Sequence, residues 1–429
     1  MSAMFSALSV RNYRIYATGA IVSNTGTWMG RIAQDWVVLT ELTDNSAQAL
    51  GIVTGLQFLP ILLFSPIAGA LSDTFPKRQV MLVSQTFMAA VALIMGITVL
   101  TGHMELWLMY VLAFLSGTAA AVDAPARQAF VSEMVPPEQL TNAVGLNSAS
   151  FHSGRLIGPG VAGLLIAAFG TGPTLLINSF TFIAVIIALL AMDTGALTSP
   201  PRAAKRGRVR DGVAYVRRRP DILLIMALVF VHGTFGMNFQ IFNALMATEV
   251  YGKGVTEFGV TGSIMAIGSL AGALLAARRD RPRWRLLLGA MIGFSLALMV
   301  AAVAPTFGSY TLLLIPTGLL ALTVMVSANA MVQLTTDQAV RGRVMALYMA
   351  VFMGGTPVGS PALGWFAEEF GPRPTLLVAA SVCLAAAVLA TIYVMRHDNL
   401  RVRLRASWTR PLALQRGPVV TEPVPEKVN

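Results

Sequence analysis

Stretches long enough to cross a lipid bilayer, and free of Asp, Glu, Lys and Arg, recur along this sequence; nothing else in it restricts the fold so sharply. A helix needs about 20 apolar residues, at 1.5 Å each, to span the hydrocarbon. Residues 45–72, 79–104, 222–248, 258–277, 344–367 and 374–395 are such runs. Two more, 156–192 and 286–336, are too long for one crossing. Each contains a turn signal, Gly170-Thr171-Gly172-Pro173 in one and Pro305 to Ser309 in the other, and so divides in two. Charged residues are only 12% of the chain, against about 25% in soluble domains. A surface that poor in charge suits lipid, not water. Strands of a β-barrel would alternate every second residue over about 10 residues, which these runs do not.

The pattern predicts an all-α polytopic membrane protein with twelve spans: 15–40, 49–71, 80–100, 106–126, 140–168, 174–193, 222–247, 258–277, 286–304, 310–333, 344–366 and 375–395. Arg11 and Arg14 precede a first apolar stretch too long and interrupted for a cleaved signal, so it is kept as the first helix. The net charge of +11 follows topology. One set of loops holds only Lys253 and Arg373. The other holds Arg11, Arg14, Lys77, Arg78, the central segment, residues 278–285, Arg341, Arg343 and the tail. Basic residues concentrate in cytoplasmic loops, so both termini are expected in the cytoplasm, beside anionic headgroups rather than nucleic acid. The lone cysteine, Cys383, reads as a small buried residue.

The chain is internally duplicated. Phe169-Gly170-Thr171-Gly172-Pro173-Thr174-Leu175-Leu176 returns as Phe370-Gly371-Pro372-Arg373-Pro374-Thr375-Leu376-Leu377, and the same offset pairs Gly154, Gly158 and Gly163 with Gly355, Gly359 and Gly364. A parallel repeat of six plus six helices is one of the known transporter architectures. The predicted organisation is a six-helix bundle over 1–193, a basic cytoplasmic linker over 194–220 with a short surface helix near 211–216, a second bundle over 221–395, and a basic, Pro-rich, disordered tail over 396–429.

The loop after the second span reads Gly69-Ala70-Leu71-Ser72-Asp73-Thr74-Phe75-Pro76-Lys77-Arg78. It resembles the signature loop of the major facilitator superfamily, departing at Thr74 and Pro76. The resemblance implies that Gly69, Leu71, Asp73, Lys77 and Arg78 form a cytoplasmic gate. Asp73 would meet the start of helix eleven, near Arg343 to Met345, where a carboxylate is favoured by the helix dipole. The fifth span, with Gly145, Gly154, Gly158, Pro159 and Gly163, resembles the superfamily's antiporter motif, departing only at Ala162. That implies proton-exchanging export. Small residues of this kind allow helices to approach closely, and Gly154, Gly158 and Gly163 are expected to pack against the other half. Gly26 to Met29, Gln34 to Leu39, Asp123 to Phe130 and Arg341 to Val344 look like the bacterial branch of enterobactin-type siderophore exporters and macrolide efflux pumps.

Charges within spans are costly and are functional candidates. Arg31 and Asp35 lie one turn apart on one helix face, as a coupling site or a structural ion pair. Asp123 and Arg127 repeat the spacing near a span end, where a gate or structural role is expected. Arg155, beside His152, can hold an anionic group or pair with an acid. His152, Asn24, Gln57, Asn238, Gln240, Asn243, Asn329 and Gln333 are candidate cavity polars, and His232 reads as a core residue. There is no phosphate loop ending Gly-Lys-Ser/Thr, no metal-ligand spacing and no Gly-x-Ser-x-Gly elbow. The resulting expectation is a secondary transporter with no cofactor, metal or catalytic residue. It would be a monomer that exchanges protons for a small amphipathic compound such as a drug, macrolide or siderophore. A facilitator or importer of the same fold, an intramembrane enzyme and a receptor are the competing readings.

Overall fold

The computed structural model describes residues 3–198, 209–277, 283–338, 340–397, 400–404 and 412–416; the side chain of Asp73 lies outside that description. A short tight helix at Ala3–Ser9 leads into α1 (Arg11–Val37), α2 (Ala47–Thr74), α3 (Lys77–Leu100), α4 (Leu106–Met134), α5 (Pro137–Phe169) and α6 (Thr171–Leu190). The linker contributes α7 (Val209–Arg217). The second half comprises α8 (Pro220–Val231), α9 (Phe239–Leu245), α10 (Val255–Ala277), α11 (Trp284–Ala302), α12 (Phe307–Thr335), α13 (Arg341–Phe370) and α14 (Pro372–His397). The predicted surface helix of the linker is α7, longer than expected, while residues 199–208 lie outside the described residues. The tail, expected to be disordered, carries an antiparallel hairpin of β1 (Leu400–Leu404) and β2 (Leu412–Arg416).

The seventh span differs from the single helix expected. It is split into α8 and α9 by a wide turn at His232–Gly236, and a second wide turn follows at Met246–Val250. Gly233 and Gly236 weaken the helix there. α13 then presses on the break: a Cβ on Gly359 would lie 1.8 Å from the Thr234 carbonyl oxygen, so only glycine fits. The same carbonyl accepts from Asn238 Nδ2 at 2.7 Å, which replaces part of the lost helix bonding.

Nine of the described helices, counting α8–α9 as one, are long and apolar enough to cross a membrane. α1, α5 and α13 are of spanning length, 27, 33 and 30 residues, but are more polar or richer in glycine.

Two ends can be told apart. At the base, Lys77 pairs with Glu133 at 3.2 Å, and Arg78 Nε donates to the Leu189 carbonyl at 2.7 Å. Asn12 and Asp193 exchange two bonds there, at 2.8 and 3.0 Å. Arg219 Nη1 donates to the Thr335 carbonyl at 3.1 Å at the base of the second half. At the opposite end, the top, α5 and α13 both terminate on glycines with positive φ, Gly170 at 87° and Gly371 at 85°. Each donates its N–H to a carbonyl four residues back, and combines a positive φ with an extended ψ, a conformation essentially restricted to glycine. The sequence repeat is thus a structural repeat. The halves meet mainly in two helix pairs, α2 with α13 and α5 with α10. Their closest approaches lie toward the top: a Cβ on Gly51 would sit 2.4 Å from the Ser360 carbonyl, and one on Gly259 would sit 2.3 Å from the Pro159 carbonyl.

Candidate functional site

Under the closed top, α1, α5, α9 and α10 surround a cavity of about 60 Å³. Aromatic rings from both halves line it, Trp28 from α1, Phe239 from α9 and Phe258 from α10, with Arg155, Gln240 and Asn243 as its polar groups. Among the described residues no acidic side chain lines it. Ligand pockets usually measure about 300–1,000 Å³, so a drug-sized cargo requires these helices to part.

Trp28 organises the charges. The Arg155 guanidinium lies 5.3 Å from its ring centroid and the Arg31 guanidinium 4.8 Å, with Arg31 also 5.3 Å from the Phe58 ring. Such contacts stabilise a cation by roughly 0.5–2 kcal/mol, less than an unpaired buried charge costs. Among the described residues neither guanidinium forms an ion pair. Arg155 therefore offers unused donors at the cavity wall.

Asp35 lies one turn above Arg31, near the top of α1, and is 3% exposed. The ion pair considered for these two residues does not form: Arg31 turns to the rings of Trp28 and Phe58, and Asp35 Oδ2 has no hydrogen-bond partner. Helical spacing permits an i,i+4 pair but does not compel one when aromatic faces compete. Around it Gln34, Thr54 and Gln57 are also buried, and Gln57 Nε2 donates to Gln34 Oε1 at 3.5 Å. Gln34 Nε2 and Thr54 Oγ1 are unpartnered as well. Buried polar atoms are nearly always paired, and these three unpartnered ones lie on α1 and α2.

Asp123 and Arg127 do pair, at 2.7 Å, and Asp123 Oδ1 also accepts from Ser84 Oγ and Gln85 Nε2, each at 2.9 Å. This network joins α3 to α4 inside the first half, away from the cavity. The cavity polars divide in the same way. Gln240 and Asn243 reach it, with Asn243 Oδ1 accepting from Tyr310 OH at 2.8 Å. Asn24 Nδ2 instead donates to Ser150 Oγ at 2.9 Å, and Asn238 Oδ1 accepts from Ser360 Oγ at 2.7 Å. Gln333 is exposed on α12 and donates to Asn329 at 2.9 Å. His152 packs edge-on against Phe151, and His232 is buried against Phe294.

The glycines of α5 do not all serve the interface between halves. Gly154 and Gly158 face α1: an added Cβ would meet the Asn24 backbone at 2.7 Å and Trp28 Cβ at 2.6 Å, respectively. Gly160 and Gly163 face α10, where an added Cβ would meet Ser263 Oγ at 3.1 Å and Thr256 Cα at 3.0 Å and where the Pro159 carbonyl also lies; among the described residues Gly145 has no neighbour within 4 Å. Residues four apart share a helix face, while a step of five turns about 140° away. The repeat obeys the same rule. Gly355 and Gly359 face the α8 break at Thr234, and Gly364 crosses to α2. In the signature loop, Gly69 has no neighbour within 4 Å among the described residues, the Leu71 carbonyl accepts from the Phe75 N–H, and Lys77 and Arg78 tie the loop to its own half. The expected contact of Asp73 lies outside the described residues.

Residues 2–422 match the family model described as transmembrane secretion effector. The multidrug efflux pump Tap of Mycolicibacterium fortuitum is 27% identical over 86% of this chain and 93% of its own. Macrolide efflux protein A of Streptococcus pyogenes is 22% identical over 82% and 88%. The staphyloferrin A transporter of Staphylococcus aureus is 25% identical over 58% of this chain, and the chain spans 63% of that relative. A bacterial homologue of the human lysosomal transporter Spinster, solved inward-facing and occupied, superposes with a TM-score of 0.71 at 13% identity, over 92% of this chain and 98% of that one. The nucleoside transporter NupG gives 0.70 at 12% identity, over 90% and 99%. These similarities are to transporters, not catalysts. With the apolar helices and the shared fold, they make the chain a multi-pass bacterial inner-membrane transporter of small molecules, a member of the transmembrane secretion effector family within the major facilitator superfamily.

Proposed function

We propose that this chain exports a small amphipathic compound, of the drug, macrolide or siderophore kind, in exchange for protons. Twelve spans in two six-helix bundles carry it, with α8 and α9 forming one broken span. Both termini face the cytoplasm, so the base is cytoplasmic and the top is external. In this state the top is closed and cargo enters from the base. The aromatic rings of the cavity hold the apolar body of the cargo, and Arg155 donates to an acceptor oxygen on it. A discontinuous helix beside the cavity accords with this reading, since transporters build binding sites at such breaks. So do the efflux proteins among the similar sequences.

The observation that carries the coupling is Asp35: a buried carboxylate, without an ion pair and with Oδ2 unpartnered, just under the closed top. When the top opens, Asp35 takes a proton from outside; when the base opens, it gives the proton to the cytoplasm. Asp35→Asn fixes the neutral form. Proton-driven uptake of radiolabelled erythromycin into inverted vesicles, which corresponds to export from the cell, is measured beside counterflow in reconstituted vesicles. The variant is expected to lose the first and keep the second. Full proton-driven uptake by Asp35→Asn would move coupling to another residue.

A further inference from the structure

We propose that Glu368 is the latch of the outer gate: from the end of α13 it caps the first turn of α2 across the two halves while the top is closed, and it must let go in each transport cycle. The proposal rests on the alternating-access export reading above. Glu368 Oε2 accepts from Ser46 Oγ at 3.2 Å and from the Gln48 backbone N–H at 3.2 Å. Ser46 Oγ simultaneously accepts from the Ala49 N–H at 3.2 Å. A hydroxyl has one proton to give and lone pairs to receive with, so all three bonds coexist. The exposed N–H groups of the first turn of α2 are therefore shared between its own serine and a carboxylate from the other half.

The position of Glu368 makes the contact conditional on closure. Ser360, Gly364 and Glu368 recur every fourth residue on one face of α13. The Ser360 carbonyl and Gly364 Cα lie where a side chain on Gly51 would be, and Ala47 O lies 2.5 Å from a Cβ built on Gly364. Small residues let the two backbones touch, but contacts of that kind have little directionality. Glu368 adds a directional, charged bond at the outer end of the same seam. Its geometry is met only when α2 and α13 are this close. The Glu249 carboxylate, on the same half, lies within electrostatic reach of Glu368. Nothing in the sequence singles out this glutamate, because its partners are 320 and 322 residues away.

The test uses the full-length protein in cells, with Cys383→Ala removing the one native thiol and Gln240→Cys as a reporter at the cavity wall. The rate of labelling by a membrane-impermeant maleimide from outside reads the opening of the top. A carboxylate at a helix N-terminus corresponds to roughly a two- to fivefold population shift, so Glu368→Ala and Ser46→Ala should each raise labelling by about that factor. The double variant should rise by less than the product of the two, since both remove one contact. Glu368→Asp, which keeps the charge, should recover part of the wild-type rate. Unchanged labelling in Glu368→Ala, or fully multiplicative effects, would overturn the latch while leaving the export reading intact. A reporter that labels from only one face of the membrane under every condition would remove alternating access, and the latch with it.

Discussion

Gly259 gives the sharpest test of how the halves meet. A Cβ at this position would lie 2.3 Å from the Pro159 carbonyl oxygen, 3.2 Å from its carbon and 3.3 Å from Gly163 Cα. All three are backbone atoms, which cannot rotate aside, so in Gly259→Ala α10 and α5 must separate by about an ångström. Overpacking of this kind costs roughly 1–3 kcal/mol. In the transport cycle the cost falls only on the state with the top closed, because the contact is absent once the halves part there. Each 1.4 kcal/mol is a factor of ten, so the open-top population should rise by about 5- to 150-fold. Labelling of Gln240→Cys from outside, in the Cys383→Ala background, measures it. Gly154→Ala is the control. Its Cβ would press on the Asn24 backbone at 2.7 Å, but within the first half, where the contact persists in both states. It should lower the unfolding temperature without changing the labelling rate. If Gly154→Ala opens the top and Gly259→Ala does not, the assignment of the α5 glycines to separate faces is wrong.

Three further outcomes are expected. Asp123→Ala leaves Arg127 buried without its carboxylate, a loss of about 3–5 kcal/mol; it should cut the folded yield in membranes, whereas wild-type yield would make the pair dispensable. Asp73→Asn should slow transport while preserving cargo affinity, measured as initial rates against equilibrium binding in vesicles; an unchanged rate would reduce the loop to a solvated turn. An alkaline phosphatase fused after Arg410 should be inactive, since this enzyme works only outside the cytoplasm, and activity there would reverse the orientation proposed.

What the sequence determines alone is what one-dimensional patterns carry. Uncharged runs identify a membrane protein because lipid admits no unpaired backbone or charge. The repeated Phe-Gly and Pro-Thr-Leu-Leu identify the duplication, since Gly170 and Gly371 stop their helices with the same positive-φ backbone. The glycine spacing of α5 is visible too, but not its direction: a list of glycines does not say which neighbour stands opposite. Only the tertiary structure decides that Gly154 and Gly158 serve α1 and Gly163 serves α10. It alone breaks the seventh span at His232–Gly236, where the pressure comes from α13 more than 100 residues away. For the charges, spacing offered two equal i,i+4 pairs. Asp123 and Arg127 formed theirs because Ser84 and Gln85 complete the network. Arg31 found aromatic rings instead and left Asp35 unpaired. Partners on other helices decided both, and those partners meet only when the chain has folded.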